Sequence, residues 1–280
     1  MKSLANISVI GRDKTGVVAR VTQFLFQSGA NVEEIEQQVT RGRFSMSLQA
    51  SWRGALDRTA MARGLETLGA SLGMEVRGRF MEQHKRQRMA LLVTKEPECP
   101  EAIVRAVKSR KIPAEISVVV SNHRSLAPIA KKAGAPFLYV DYSDRDRAEK
   151  TVLAAFEEYE VDWIVLARFM KILSPNFVWR HKNKIINIHP SLLPAFPGAS
   201  AYRQAYERGV KIVGVSAHIV TMHLDEGPII CQNSFKVKPG EALSDIIRRG
   251  QQLEAKTLVR AIQLCLRKRL DIYWGVVHNV

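Results

Sequence analysis

Three side chains between residues 187 and 225 have types and spacing that suit acyl chemistry. Asn187 and His189 lie two positions apart at the end of the apolar run IINIH, and Asp225 lies in the later stretch MHLDEGP. An amide donor can stabilise the negative charge that grows on an attacked carbonyl oxygen, and an imidazole can donate to that oxygen or move protons. A carboxylate can hold the imidazole or a water molecule. These groups predict a site that breaks or moves an acyl group on nitrogen.

The elements around these residues predict that the three side chains meet. Residues two apart on an extended strand lie on one face, so Asn187 and His189 share a side. Pro190 lacks an N–H group and favours the end of the strand. The run VGVSAHIV (213–220) is typical of another strand and leads into the stretch that carries Asp225. We therefore expect the trio to converge from two neighbouring strand ends.

The region from residue 89 onward predicts a doubly wound, mostly parallel α/β domain. Short apolar runs alternate there with helical patterns, as in strands buried on both faces. Ligands of such sheets bind outside the carboxyl ends of the strands, where Asn187 and His189 lie. The predicted strands are MALLVT (89–94), EISVVVS (115–121), FLYV (137–140), WIVLA (163–167) and KIINIH (184–189), and a long helix is predicted over 241–269.

The first 83 residues predict a smaller domain of a different type. Their patterns follow the order β-α-β-β-α-β, which indicates a ferredoxin-like sandwich. The polar, basic stretch 84–88 reads as a linker, because apolar residues are absent from it. The predicted organisation is therefore residues 1–83, a linker at 84–88, and residues 89–280.

Composition narrows the function class. The chain has 280 residues and a formal net charge of +15, but its basic residues are dispersed and not interleaved with aromatic ones. We therefore expect no nucleic-acid partner. Apolar runs are too short for a membrane span, and the start does not resemble a secretory signal. Cys99, Cys231 and Cys265 are far apart, which favours free thiols, a cytoplasmic protein and no metal site.

The stretch GRDKTGVVARVTQFLFQSGANV (11–32) resembles the ACT domain, a small regulatory module that binds amino acids. The resemblance implies an effector, glycine or methionine, held near the start of the first helix, where free amide groups can bind a carboxylate. The alternative is a module that only pairs chains, and a homo-oligomer, dimer or tetramer, is expected through it. The candidate effector residues are Asp13, Lys14, Thr15, Gly16 and Asn31.

Three later segments resemble the formyltransferase family that uses 10-formyltetrahydrofolate. They are LARFMKILSPNFV (166–178), NIHPSLLPAFPG (187–198) and HIVTMHLDEGPII (218–230). The resemblance implies that Asn187, His189 and Asp225 are catalytic. It also implies a folate site whose candidate residues are Met170, Lys171, Ile172, Leu173, Phe196, Gly198, Val220, His223 and Leu224.

The combination of an ACT-like module with such a domain is similar to the formyltetrahydrofolate deformylases. This implies hydrolysis of 10-formyltetrahydrofolate to formate and tetrahydrofolate, which balances one-carbon pools and supplies formate for purine synthesis, with no tightly bound cofactor. Transfer to an amine acceptor of the glycinamide ribonucleotide type is the alternative. The loop VTKEPECPEAI (93–103) disfavours it, because it lacks glycine and Glu96 and Glu98 would repel a phosphate. That atypical loop and Pro190 also leave open a catalytically reduced folate or amino-acid sensor.

Overall fold

The computed structural model describes residues 2–80, 86–267, 270–273 and 275–279. Contacts divide the chain into two compact units, an N-terminal unit (Met1–Lys85) and a C-terminal unit (Arg86–Val280). His84 and Lys85 of the predicted linker lie outside the described residues. Gln87 and Arg88 do not form a linker, because they begin a strand in which the Arg88 amide donates to Asp162 Oδ2 at 2.8 Å.

The N-terminal unit is a four-stranded antiparallel sheet with two helices, in which the second, third, first and fourth strands of the chain lie side by side in that order. Aspartate caps the second helix, where Asp57 accepts a hydrogen bond from the Ala60 amide at 2.9 Å. A continuous core of buried apolar side chains, including Val9, Leu25 and Leu48, joins helices to sheet. The elements are β1 (Lys2–Arg12), α1 (Val17–Gln27), β2 (Ala30–Thr40), β3 (Arg43–Arg53), α2 (Arg58–Leu72) and β4 (Met74–Phe80).

The C-terminal unit alternates strands and helices, then ends in a long helix and a hairpin. A 3-10 turn at Arg124–Leu126 precedes its second helix. The elements are β5 (Gln87–Val93), α3 (Glu98–Lys108), β6 (Ala114–Ser121), α4 (Ala127–Ala133), β7 (Phe137–Tyr139), α5 (Arg145–Glu158), β8 (Trp163–Ala167), α6 (Pro175–Arg180), β9 (Ile185–His189), α7 (Ala201–Glu207), β10 (Ile212–Ile219), β11 (Ile229–Lys236), α8 (Leu243–Leu266), β12 (Leu270–Tyr273) and β13 (Val276–Asn279).

Seven strands of this unit form one sheet in the order β11-β10-β9-β8-β5-β6-β7. The five strands from β9 to β7 are parallel, whereas β10 and β11 are antiparallel additions at one edge. The predicted fold class, a ferredoxin-like unit followed by a mostly parallel α/β sheet, is therefore confirmed.

Two layers of helices cover this sheet, and contacts with each layer show which face a strand residue occupies. One face packs against α3, α4, α7 and α8 and includes Ile186, Ile188 and Ala217. The other packs against α5 and α6 and includes Leu166 and Ile185. Because side chains alternate along a strand, Asn187 and His189 lie on the α5–α6 side. None of the described helices is both long and apolar enough to span a membrane.

Candidate active site

Two adjacent strands each place two polar side chains on the same face of the sheet. In β9 these are Asn187 and His189, and in β10 they are Ser216 and His218. The antiparallel register sets His218 opposite Asn187 and Ser216 opposite His189. All except the half-buried Asn187 are buried. The result is a compact polar group inside an otherwise apolar sheet.

Asp225 reaches this group by a different path from the one expected. Because β10 is antiparallel to β9, its end lies beside the start of β9, where the Val220 amide donates to the Ile185 carbonyl at 2.9 Å. The loop after β10 then turns back over the face, and Asp225 adopts a left-handed φ of +58°. The prediction that the three side chains converge from two neighbouring strand ends was wrong for Asp225, since a returning loop and not a strand end brings its carboxylate to Asn187 and His189.

The structure nonetheless brings the three sequence-predicted side chains together. Asp225 Oδ2 lies 3.3 Å from His189 Nδ1, and both side chains are about nine-tenths or more buried, at 6% and 5% exposed. His189 Nε2 lies 2.9 Å from the Phe196 carbonyl oxygen, which can only accept, so Nε2 carries the hydrogen. Nδ1 is therefore the ring atom that exchanges a proton, and it faces the carboxylate.

His218 fixes the orientation of the Asn187 amide. Its Nδ1 lies 3.0 Å from the Ile219 carbonyl oxygen and must donate to it. Nε2 is then the acceptor for Asn187 Nδ2 at 3.2 Å. Burial lowers the pKa of His218, which agrees with a neutral ring, although Asp225 Oδ1 lies 3.7 Å from Nε2. The second hydrogen of Asn187 Nδ2 makes no hydrogen bond within the described residues.

A network of hydrogen bonds supports the loop that follows β9. Ser216 Oγ donates to the Ser191 carbonyl at 2.7 Å and accepts from the Leu193 amide at 2.9 Å. Farther along, the Gly198 amide donates to Asp225 Oδ2 at 2.9 Å. Phe196 and Gly198, predicted to line the folate entrance, thus contact His189 and Asp225 through their backbones.

The other predicted folate residues divide between exposed and buried positions. Met170 and Ile172 are 61% and 66% exposed, and Leu224 is 56% exposed. Lys171 is half-buried, Leu173 is buried and His223 is exposed. Val220 packs partly against the α5–α6 core. The segment from Arg168 to Leu173 is an irregular strand-end loop and not a helix.

The candidate effector residues lie in the N-terminal unit. Asp13–Gly16 form the turn before α1, and Asn31 is the second residue of β2; all five are exposed. Gly16 has a φ of +86° and, as the N-cap residue of α1, has no side chain to cap the helix. The amide groups of the first turn thus lack a cap from that residue.

His218 and Ser216 are the residues of the site that the sequence analysis missed. Their signal was present, because SAH in β10 repeats the two-residue polar spacing of NIH in β9. Both lie inside a strand that is otherwise continuously buried, so they read as core positions. Within the described part of the chain, His, Cys, Asp and Glu side chains form no group of three suited to a metal ion.

Comparisons with known proteins agree with this architecture. Residues 87–262 match a family model described as formyl transferase, and residues 4–78 match one described as ACT domain. A formyltetrahydrofolate deformylase from Bacillus subtilis is 38% identical over 93% of this chain and 88% of its own length. The crystal structure of such a deformylase from Pseudomonas syringae covers 99% of this chain and 94% of its own, with 27% identity and a TM-score of 0.68.

A crystal structure of glycinamide ribonucleotide transformylase 1 from Symbiobacterium toebii gives a shorter match. It is 34% identical and has a TM-score of 0.68, but it covers 71% of this chain and 96% of its own. The deformylases match both units of the chain. The transformylase matches 71% of the chain, which is too little to include both units in full. The chain therefore belongs to the formyltetrahydrofolate deformylase family, in which an ACT domain precedes a formyl transferase domain.

Proposed function

We propose that this protein hydrolyses 10-formyltetrahydrofolate to formate and tetrahydrofolate. The observation that carries the proposal is the buried contact of Asp225 with His189, beside the Asn187 amide that His218 orients. Relatives at 35–38% identity that span nearly all of the chain bear the deformylase name. The exposed apolar edge at Met170 and Ile172 offers a surface for the flat ring of a folate.

In the proposed mechanism, Asp225 and His189 Nδ1 hold a water molecule and remove its proton. The water oxygen bonds to the formyl carbon on N10 of the substrate, and the carbonyl oxygen becomes an oxyanion. Asn187 Nδ2 and the protonated His189 donate to that oxyanion. The carbon–nitrogen bond then breaks and N10 takes up the proton from His189. Formic acid and tetrahydrofolate leave, and the acid loses its proton to solvent to give formate.

Transfer to an amine that bears a phosphate receives less support. A helix start after the first parallel strand can hold a phosphate where its amide groups are open. Here α3 begins with Glu98, carries Glu101 in the same first turn and follows Pro97 at the N-cap. Two carboxylates at this position oppose an anion. Hydrolysis requires no second binding site and is therefore the better proposal.

Formate release tests the function directly. Purified protein mixed with 10-formyltetrahydrofolate should yield formate and tetrahydrofolate in equal amounts without any added amine. Asp225→Asn should release formate at least about 100-fold more slowly, because it lacks the negative charge that holds the water and stabilises the protonated His189. Its amide oxygen can still accept from Gly198, so folate binding should persist in a direct titration.

A matched control is Asp245→Asn, which removes a carboxylate on α8 whose ion pair with Arg248 is exposed. That variant should retain wild-type formate release. Full turnover by Asp225→Asn would remove this carboxylate from the mechanism, and absence of formate from the wild type would contradict the proposed reaction.

We further propose that the N-terminal unit binds an amino-acid effector at the turn before α1, with glycine and methionine as the candidates. The exposed Asp13–Gly16 turn and the uncapped first turn of α1 support a carboxylate site there. Calorimetric titration with each amino acid tests this. Gly16→Ala should weaken binding, whereas Gly29→Ala, a positive-φ glycine after the other end of the helix, should not.

We also propose that the protein assembles as a homo-oligomer through its N-terminal units. The edge strand β2 places Ile35 and Val39 opposite Leu48 and Phe44, which are core residues of β3. Ile35 and Val39 are nonetheless 43% and 50% exposed. The apolar face of the sheet thus continues to an uncovered edge strand, which favours pairing with a second copy.

A further inference from the structure

Three side chains from different elements, two buried and one half-buried, form an ionic group that the proposed mechanism does not use. Arg168 follows β8, Tyr202 lies on α7 and Glu254 lies on α8. Tyr202 Oη donates to Glu254 Oε1 at 2.7 Å, and Arg168 Nη1 lies 3.4 Å from Glu254 Oε2. Glu254 is 0% exposed and Tyr202 is 6% exposed. We name this group the switch-point cluster.

The cluster lies where the strand order of the parallel sheet reverses. The chain runs from β5 to β6 and β7 on one side, then returns to place β8 on the other side of β5. Ligands of doubly wound sheets bind in the crevice at such a reversal. Leu166 pairs with Asn187, so Arg168 follows the end of β8 at the level of His189 in the neighbouring strand. Arg168 therefore lies at the same edge of the sheet as the reacting groups.

The backbone of Arg168 directs its side chain to this place. Leu166 packs with the α5–α6 side of the sheet, and a continued strand would set Arg168 on that same side. Arg168 instead has a φ of +62°, a backbone conformation that residues other than glycine adopt at an energetic cost. Its guanidinium group consequently contacts α8 on the opposite side. A glycine would adopt this φ without cost. An arginine at this position is therefore explained by what its side chain contacts and not by the backbone angle.

The cluster fills its space but does not satisfy its own charges well. A Cβ atom at Gly250 would lie 2.2 Å from Tyr202 Oη, so the ring packs directly on the α8 backbone. Among the described residues, Arg168 Nε and Glu254 Oε2 are buried and make no hydrogen bond, although Oε2 lies 3.4 Å from Arg168 Nη1. Burial raises the pKa of Glu254, with Arg168 opposing that effect. Replacing a buried ion pair by apolar residues is often neutral or stabilising, so the stability of the fold does not by itself explain this group.

We propose that Arg168, Tyr202 and Glu254 close the α8 side of the crevice at this edge of the sheet to amine acceptors and so reserve the formyl group for water. The inference rests on the proposed hydrolysis and concerns the acceptor. Water attack forms an oxygen–carbon bond and breaks the carbon–N10 bond. An amine that entered instead would form a nitrogen–carbon bond, lose a proton and leave N10 protonated.

The test is the choice of acceptor in a double variant, Arg168→Gly with Glu254→Gln. Glycine accepts the positive φ, and the glutamine oxygen can still accept from Tyr202 without leaving an unpaired charge. Each protein is incubated with 10-formyltetrahydrofolate and millimolar glycinamide, and formate and N-formylglycinamide are measured by mass spectrometry. The ratio of formylated amine to formate should rise at least about tenfold in the double variant.

A matched control removes a similar pair from the exposed surface of the same helix, as Asp245→Asn with Arg248→Gln. Its product ratio should equal that of the wild type. An unchanged ratio in a double variant that still releases formate overturns the role of the cluster. If the double variant does not fold, Arg168→Gly alone decides by the same ratio. A wild type that releases no formate overturns instead the hydrolysis itself.

Discussion

At the scale of single residues, His218 is the support on which the orientation of the Asn187 amide depends. Its ring accepts from Asn187 and donates to the Ile219 carbonyl, so the amide cannot rotate without losing a hydrogen bond. An oxyanion donor that is held before the reaction begins needs no reorganisation in the transition state. The neutral form of the ring is required for this, because a protonated Nε2 could not accept.

Replacement of His218 should lower the turnover rate and leave substrate binding nearly intact. His218→Phe removes the acceptor, and kcat should fall about tenfold or more, with KM within about threefold of wild type. His218→Gln, whose amide oxygen can accept, should recover part of that loss. Steady-state formate release provides both constants. A phenylalanine variant with wild-type kcat would show that Asn187 needs no such support.

The buried neutral ring also predicts how stability depends on pH. The pKa of His218 is lower in the folded protein than in the unfolded chain because of burial. Below about pH 6.5 the unfolded chain therefore takes up a proton that the native ring does not, and stability falls. Above that pH this contribution to the free energy of unfolding is constant.

Urea unfolding at pH 7.5 and 5.5 measures this effect. The midpoint should fall between the two pH values in the wild type and should fall less in His218→Gln. The matched control is His223→Gln, which changes an exposed histidine of the neighbouring loop and should keep the wild-type difference. Equal pH differences in wild type and His218→Gln would contradict the assignment of a buried neutral ring.

At the scale of elements, the loop from Val220 to Pro228 determines whether the site exists. It must reverse direction because β10 runs antiparallel to β9, and it does so in close contact with the strand that it leaves. The Ile219 amide donates to the Pro228 carbonyl at 2.9 Å. A Cβ atom on Gly227 would lie 1.8 Å from the Ile219 carbonyl oxygen, so only glycine fits there.

Gly227→Ala should therefore displace the loop and Asp225 with it. We expect a loss of about 1–3 kcal/mol in the free energy of unfolding, as for other overpacked sites. Formate release should fall at least about tenfold, because the carboxylate no longer meets His189 in a reactive geometry. Glu226→Ala, an exposed side chain of the same loop, should change neither quantity. Wild-type activity in Gly227→Ala would show that the loop adapts.

The elements themselves were largely predictable, because apolar spacing reports which faces are buried. The runs at 163–167 and 184–189 became β8 and β9 nearly residue for residue. The linker prediction was wrong at Gln87 and Arg88, since a polar strand end reads as a linker. The antiparallel direction of β10 could not be predicted from apolar spacing, because strand direction depends on the path of the preceding loop and of α7.

The site was predictable to the extent that its chemistry shows in residue types. Asn187, His189 and Asp225 were singled out by the reactions that their side chains can support. His218 was missed because a buried histidine within a strand has the same pattern as a core residue. The turn of Arg168 toward α8 follows from a single backbone dihedral angle, which no spacing of apolar residues encodes.

At the scale of the whole molecule, the two units pose separate questions of chemistry and assembly. The C-terminal unit contains every residue of the proposed reaction, whereas the uncovered apolar edge lies in the N-terminal unit. Burial of Ile35 and Val39 against a second copy would remove apolar surface from water, and charged side chains at those positions would oppose it. Assembly can thus be altered without a change in the catalytic residues.

The double variant Ile35→Lys with Val39→Lys should therefore lower the oligomeric state. Light scattering after size-exclusion chromatography should give at least twice the mass of one chain for wild type and the mass of one chain for the variant. Ile212→Lys, at an exposed apolar position of β10, should retain the wild-type mass. A monomeric wild type, or an oligomeric variant, would exclude this edge as the interface.

The return path of the Asp225 loop has a consequence for how the enzyme fails. The amide and the imidazole lie within the sheet, but the carboxylate lies on a loop, so local opening of that loop would remove it from the site while the strands stay paired. Catalytic competence is then limited by the weakest local segment and not by the global fold. In mild denaturant, formate release should stop while the circular dichroism spectrum still matches that of the native state.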